Sequence, residues 1–224
     1  MLLTPPARRL AAAFAAFGPL LFLVCEAITA IAWTAGTYNY GVNFISDLGT
    51  TVCGSYFSGR IMCSPIHGVM NFGFAAMGIS VAIATVLLAA ALPRGRRVTV
   101  SVLGVLLAIG MILVALFPGG IESMPDGTIV LHVLGAAGAI LFGNGIGVII
   151  GANRRSLGFP AWFGPVAVAL GIVGILSLVG CLVYSSAVFE RIAVYSIFAW
   201  LLTASALLVR PSRDSVPISL ERRA

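Results

Sequence analysis

Charge is scarce in this sequence. Only 9% of the 224 residues are charged, whereas 60% are hydrophobic and the mean hydropathy is +1.09. A soluble domain carries about 25% charged residues. A soluble core of this length could not bury so much apolar surface, so the composition excludes an ordinary soluble domain. It indicates a protein with much of its surface in contact with membrane lipid.

Lysine is absent, so all 13 positively charged side chains are arginines. The net charge of +6 and the pI of about 9.7 resemble those of nucleic-acid-binding proteins. The arginines, however, stand in short clusters between apolar runs rather than along one polar face. That pattern is an orientation signal for membrane helices, and it argues against nucleic acid as a partner.

Common catalytic signatures are also missing. The sequence contains no P-loop, no GxSxG, no haem-binding CxxCH, no Rossmann glycine motif and no HExxH zinc motif. These motifs carry phosphate binding, acyl transfer, haem attachment, dinucleotide binding and zinc hydrolysis, so no motif assigns one of these activities to the chain.

Six apolar runs are long enough to cross a bilayer, which needs about 20 residues per helix. They predict an all-α, polytopic bundle that forms a single transmembrane domain over residues 1–209. The run after Arg8 and Arg9 continues to about Trp33, which favours an uncleaved first helix over a signal peptide. The predicted transmembrane helices cover residues 10–34, 65–92, 98–117, 129–151, 161–184 and 190–209.

The arginines predict the orientation of this bundle. Eleven of them fall on one side of a six-pass arrangement, and only Arg60 and Arg191 fall on the other. Positive residues concentrate in cytoplasmic loops, so both termini are expected inside the cell in a plasma membrane. Residues 35–64 then form an external loop, and residues 210–224 form a cytoplasmic basic tail.

The longest polar interval runs from Asn43 to Asn71 and contains Cys53 and Cys63. Outside the cell, cysteines this close in sequence usually pair. A disulfide across the ten-residue separation would stabilise the loop by about 2–3 kcal/mol. The alternatives are two independent thiols or a metal pair, although the CxxC spacing of a metal pair is absent.

Several ionisable residues lie within the apolar runs or at their external ends. Glu26 lies inside the first helix, where a carboxylate costs at least about 2.5 kcal/mol, so it must be protonated, paired or exposed to a wet pocket. His67 and Asn71 share a helix face because they are four residues apart. We expect an outward-facing polar pocket beneath the external loop, built from Glu26, Asp47, His67, Asn71, His132, Glu190, Arg191 and Tyr195.

This residue set is compatible with several functions. Arginines, carboxylates and hydroxyls can hold a lipid headgroup or a small polar ligand, with membrane lipids as the expected partners. Alternatively, His67, His132 and Glu190 could bind Zn²⁺ and activate a water, as in a metal-dependent membrane hydrolase. A small transporter is a second alternative, and a purely structural bundle is a third.

The element Asn43-Phe44-Ile45-Ser46-Asp47-Leu48-Gly49 resembles one found just after the first helix in a prokaryotic membrane family, domain of unknown function 998. Further similarities follow in order along residues 10–209: Pro65 with His67 and Asn71-Phe72, Phe117-Pro118 with His132, and Glu190-Arg191 with Tyr195. The loop containing Cys53 and Cys63 is longer than the family pattern. The resemblance implies six transmembrane helices and no established activity.

Overall fold

The computed structural model of the chain describes residues 3–55 and 60–209. The predicted basic tail, residues 210–224, lies outside the described residues. Within them the structure has six long helices and one short hairpin: α1 Pro5–Ile31, β1 Gly54–Ser55, β2 Ile61–Met62, α2 His67–Ala89, α3 Arg94–Leu116, α4 Ile129–Ala152, α5 Phe163–Tyr184 and α6 Ala187–Val209.

All six helices are long and apolar enough to cross a membrane. The predicted all-α fold of a multi-pass membrane protein is therefore confirmed. Some helix ends differ from the predicted ones. Helix α1 begins at Pro5 rather than at residue 10, because proline fits the first helical turn, where its missing N–H is not needed. Helix α6 begins at Ala187, three residues earlier than predicted.

The helices pack in chain order, each against the next, and α6 closes the bundle by packing against α1 and α4. Residues 32–66 connect α1 to α2 at one end, which we call the loop end. The opposite end, which we call the terminal end, carries the beginning of α1 and the end of α6. A 3₁₀ turn, Ser46–Gly49, packs against α2 and α1 at the loop end.

Arginines at the terminal end hydrogen-bond to the last carbonyls of helices. Arg8 donates from Nε to the Leu208 carbonyl at 2.7 Å and from Nη2 to the Leu207 carbonyl at 3.1 Å, which ties α1 to the end of α6. Arg97 donates to the Ala90 carbonyl at 2.9 Å. These carbonyls have no helical N–H partner, so a cation there supplies the missing donor.

One amide, Asn144, connects helices in the middle of the bundle. It is fully buried, and its Nδ2 donates to the Ile140 carbonyl at 2.9 Å and to the Ala193 carbonyl of α6 at 3.0 Å. Its carboxamide lies directly against Gly174 of α5, where a Cβ atom would overlap it. Asn144 thus joins α4 to α6 and requires a glycine on α5.

We expect Gly174→Ala to destabilise the protein by about 1–3 kcal/mol, because the new methyl group displaces Asn144 from its two carbonyl partners. Gly145→Ala is the matched control, since a Cβ there meets no heavy atom of the described residues within 4 Å. Unfolding free energies measured in detergent micelles test this difference. Equal stability of the two variants would contradict the role assigned to Asn144.

Candidate functional site

A buried polar cluster joins α1 to α6 near the loop end. Glu26 lies five residues before the end of α1, about 7.5 Å along the helix axis. Tyr195 donates its hydroxyl to both carboxylate oxygens of Glu26, at 3.0 and 2.8 Å. Arg191 Nη2 lies 3.6 Å from Glu26 Oε1, close enough for an ion pair. We call Glu26, Arg191 and Tyr195 the α1–α6 cluster.

Burial explains why these charges are paired. Glu26 is 2% exposed and Arg191 is 7% exposed. Removing a single charge from water costs several kcal/mol, and an opposite charge nearby offsets that cost. Glu26 was predicted to be protonated, paired or exposed to a pocket, and the structure places Arg191 and Tyr195 beside it.

Arg191 also connects α6 to the loop. Its Nη1 donates to the Asn43 carbonyl at 2.6 Å, and its Nη2 donates to the Tyr38 hydroxyl at 2.5 Å. The guanidinium carbon lies 5.0 Å from the centre of the Tyr40 ring, within range of a cation–π interaction. Among residues 3–55 and 60–209, its buried Nε has no hydrogen-bond partner. One donor of Arg191 is thus left without an acceptor.

Glu190, the neighbour of Arg191, holds the Ser46–Gly49 turn. Its Oε2 accepts the Ile45 N–H at 2.5 Å, and the carboxylate also accepts the Ser46 N–H. A carboxylate at the beginning of a helical turn satisfies backbone donors that have no partner within the turn. The adjacent residues Glu190 and Arg191 therefore fasten the loop to α6 through two separate contacts.

Asp47 lies within the turn and pairs with Arg60. Its Oδ2 accepts the Phe44 N–H at 2.9 Å and a hydrogen bond from Arg60 Nη1 at 3.0 Å. Asp47 is 4% exposed. Burial raises the pKa of the Asp47 carboxyl above its ordinary value, although Arg60 and the Phe44 N–H oppose the shift. Burial likewise raises the pKa of the Tyr38 hydroxyl.

The predicted disulfide between Cys53 and Cys63 is confirmed. It closes a short antiparallel hairpin in which Gly54 pairs with Met62 and Ser55 pairs with Ile61. The carbonyl of Cys63 accepts the Thr34 N–H at 3.3 Å, which connects the hairpin to the end of α1. Cys25 is a buried free thiol.

Asn71 and the two histidines hold nearby backbone carbonyls instead of meeting in the α1–α6 cluster. Asn71 Nδ2 donates to the Gly49 carbonyl at 3.1 Å, and His67 Nδ1 lies 3.1 Å from the Ser64 carbonyl. His132 Nδ1 lies 2.7 Å from the Phe117 carbonyl at the end of α3. A carbonyl can only accept, so both imidazoles carry a proton on Nδ1.

The structure does not assemble the zinc set proposed from the sequence. Over residues 3–55 and 60–209, no group of three or more His, Cys, Asp or Glu side chains could hold a metal ion. His67, His132 and Glu190 each contact a different backbone segment. Similar depth along their helices placed them together in the prediction, but depth does not fix the direction in which a side chain points.

Sequence reasoning missed Tyr38 and the Asn43 carbonyl, both of which bind Arg191. Tyr38 lies in the loop after α1, 153 residues before Arg191, and no sequence signal connects the two residues. A backbone carbonyl has no signal in sequence, because every residue has one. Asn144 was missed because it stands alone in an apolar run.

Two spaces lie on opposite sides of α6. An open groove of about 620 Å³, which we call the lateral groove, lies between α5 and α6 and has Arg191 and Tyr195 at its polar end. A smaller central cavity of about 50 Å³ lies among α1, α2, α3, α4 and α6, and Glu190 is part of its lining. Adjacent residues on α6 thus face different spaces.

We expect the stability of the wild type, relative to Asp47→Asn, to fall as the pH rises. Because the folded-state pKa of Asp47 is raised, its favourable contribution is complete below about pH 4, the ordinary Asp pKa. That contribution is lost as the pH rises through the folded-state pKa. Melting temperatures of both proteins between about pH 3.5 and about pH 8 measure the difference.

Asp126→Asn is the control, with the opposite sign. Asp126 accepts the Thr128 N–H at 3.0 Å and the Thr128 hydroxyl at 2.8 Å, and these bonds lower the pKa of its carboxyl. The contribution of Asp126 is therefore present above the ordinary pKa and is lost as the pH falls. If Asp47→Asn and Asp126→Asn changed the pH dependence of the stability in the same direction, burial would not be what raises the pKa of the Asp47 carboxyl.

No curated protein and no solved structure matches the chain. The family model described as "Protein of unknown function (DUF998)" matches residues 16–207, which include the α1–α6 cluster, the Ser46–Gly49 turn and most of the six helices. The sequence resemblance to this family is thereby confirmed, and the chain belongs to the DUF998 family.

Proposed function

We propose that the protein binds a phosphate-bearing membrane lipid in the lateral groove, with the headgroup at Arg191. The observation that carries this proposal is the unpaired, buried Nε–H of Arg191, a residue that lines the groove. Buried donors without partners are rare in native proteins and call for an explanation. Because neighbouring groups cover Nε, a headgroup oxygen in the groove would supply the missing partner after a small movement of the side chains around Arg191.

The lining of the groove fits an amphiphile. Apolar side chains from both helices form its walls: Leu170 and Val173 from α5, and Val188 and Ile192 from α6. Its polar residues are Tyr40, Arg191, Tyr195 and Ser196. Ligand sites are typically apolar with a few placed polar groups and measure about 300–1,000 Å³. An acyl chain would lie along the walls, with its headgroup at the loop end.

The charge at the polar end favours a phosphate. Arginine binds phosphate through several directed N–H donors, and its charge strengthens each bond. The 3.6 Å separation between Arg191 Nη2 and Glu26 Oε1 is an ion pair but too long for a good hydrogen bond. Glu26 therefore balances the charge of Arg191 without using all of its donors, and the exposed Tyr40 hydroxyl can donate to the headgroup, whereas the Tyr195 hydroxyl already donates to Glu26.

The cellular orientation is part of the same proposal. The 11 arginines counted on the terminal side support cytoplasmic termini in a plasma membrane. A disulfide at the loop end agrees with this orientation, because disulfides persist in oxidising compartments. The lateral groove would then open to lipids of the outer leaflet.

We expect Val173→Trp to reduce lipid retention about fivefold or more, because an indole in the groove costs about 1–3 kcal/mol of ligand packing. Val179→Trp is the matched control, since Val179 is also on α5 and is 54% exposed, compared with 46% for Val173, but does not line the groove. Native mass spectrometry of protein purified from phosphatidylglycerol nanodiscs counts the bound lipid.

Competition between phosphatidylglycerol and diacylglycerol, which lacks the phosphate, tests whether the headgroup phosphate contributes to binding. The wild type is expected to retain phosphatidylglycerol preferentially, and Val173→Trp to lose that preference. Equal retention of both lipids by the wild type would contradict a phosphate site. Equal retention by Val173→Trp and Val179→Trp would contradict the lateral groove as the binding site.

A further inference from the structure

The central cavity lies in the half of the bundle nearer the loop end. Five helices line it, and α5 contributes no residue. Its volume of about 50 Å³ exceeds the space of about 10–15 Å³ that one water requires. The walls are apolar and include Phe22, Met77, Leu107, Met111, Ala139 and Ile197.

The polar atoms of the lining are concentrated where the cavity meets the loop. Ile45 and Ser46 line it there together with Glu190 of α6. The Glu190 carboxylate accepts the N–H groups of Ile45 and Ser46. A carboxylate has about four acceptor positions, so about two remain for a ligand.

This combination does not suit a cluster of waters. A buried water makes about three hydrogen bonds, and apolar walls such as Phe22, Leu107 and Ile197 offer none. The flexible, polarisable side chains of Met77 and Met111 can instead adjust to an apolar guest. The cavity therefore provides one strong acceptor at the end of an otherwise apolar space.

We infer that the central cavity binds a small molecule with an apolar body and one hydroxyl or ammonium group, which donates to Glu190. This site is distinct from the lateral groove. Glu190, Val194 and Ile197 of α6 line the cavity, whereas Arg191 and Tyr195 line the groove. The two sites can therefore fail separately in experiments.

Methyl NMR of methionine-labelled protein in nanodiscs tests this inference, with 1-butanol and 1-chlorobutane as probes of similar size. Met77 and Met111 line the cavity, whereas Met124 lies in the connection between α3 and α4. We expect saturable shifts of the Met77 and Met111 signals and none of Met124. 1-Butanol is expected to bind about fivefold more tightly than 1-chlorobutane, the effect of one net hydrogen bond.

Variants separate the cavity from the bilayer. Ala139→Phe, or the smaller change Ala136→Val if the first does not fold, is expected to abolish or weaken the saturable shifts, because both alanines line the cavity. Ala13→Phe, at an exposed position on α1, is expected to leave them unchanged. Shifts that do not saturate, or that are the same in Ala139→Phe, Ala136→Val and the wild type, would overturn the site.

Glu190→Gln tests the role of the carboxylate, since the amide oxygen can still accept the Ile45 N–H. A charged acceptor makes hydrogen bonds roughly twice as strong as a neutral one. The affinity for 1-butanol is expected to fall in this variant, while that for 1-chlorobutane stays constant. Unchanged affinity for 1-butanol would overturn the assignment of Glu190 as the ligand's acceptor.

Discussion

The ion pair between Glu26 and Arg191 is the interaction on which the loop end of this protein depends. Both residues are almost fully buried in an apolar bundle, where neither charge is stable alone. Their attraction joins α1 to α6, the first and last helices of the chain, and so helps to close the bundle. Glu26 contacts the guanidinium through Nη2, and Arg191 has further N–H groups. These donate to the Asn43 carbonyl and the Tyr38 hydroxyl and so connect α6 to the loop.

Consecutive residues of α6 face two different spaces, the lateral groove and the central cavity. Arg191 and Tyr195 lie on the side of the lateral groove, while Glu190 lies on the side of the central cavity. Both charged residues also bind backbone groups just before or within the Ser46–Gly49 turn. The turn is thereby positioned by the helix that lines both spaces, and the proposed lipid site and the inferred small-molecule site share this support without sharing ligand contacts.

The sequence was sufficient to predict the six helices, because apolar run length determines which segments can cross a bilayer. It was also sufficient to predict the disulfide, because Cys53 and Cys63 are close in sequence. For the site, the cost of burying a charge indicated that Glu26 needs a partner. In the structure, Arg191 and Tyr195 both lie beside Glu26. The contacts of Tyr38 and the Ile45 N–H were not predictable, since they depend on the path of the loop backbone. His67 and His132 each bind a carbonyl of their own connection, and these two backbone partners were likewise not predictable from the sequence.

A double-mutant cycle on Glu26 and Arg191 tests the central claim most directly. Glu26→Gln and Arg191→Met are each expected to lower the unfolding free energy in micelles by about 3–5 kcal/mol, because each leaves one buried charge unpaired. The double variant is expected to lose clearly less than the sum of the two, since it contains neither charge. Additive losses would contradict the account, because they would mean that the two side chains stabilise the bundle independently of each other.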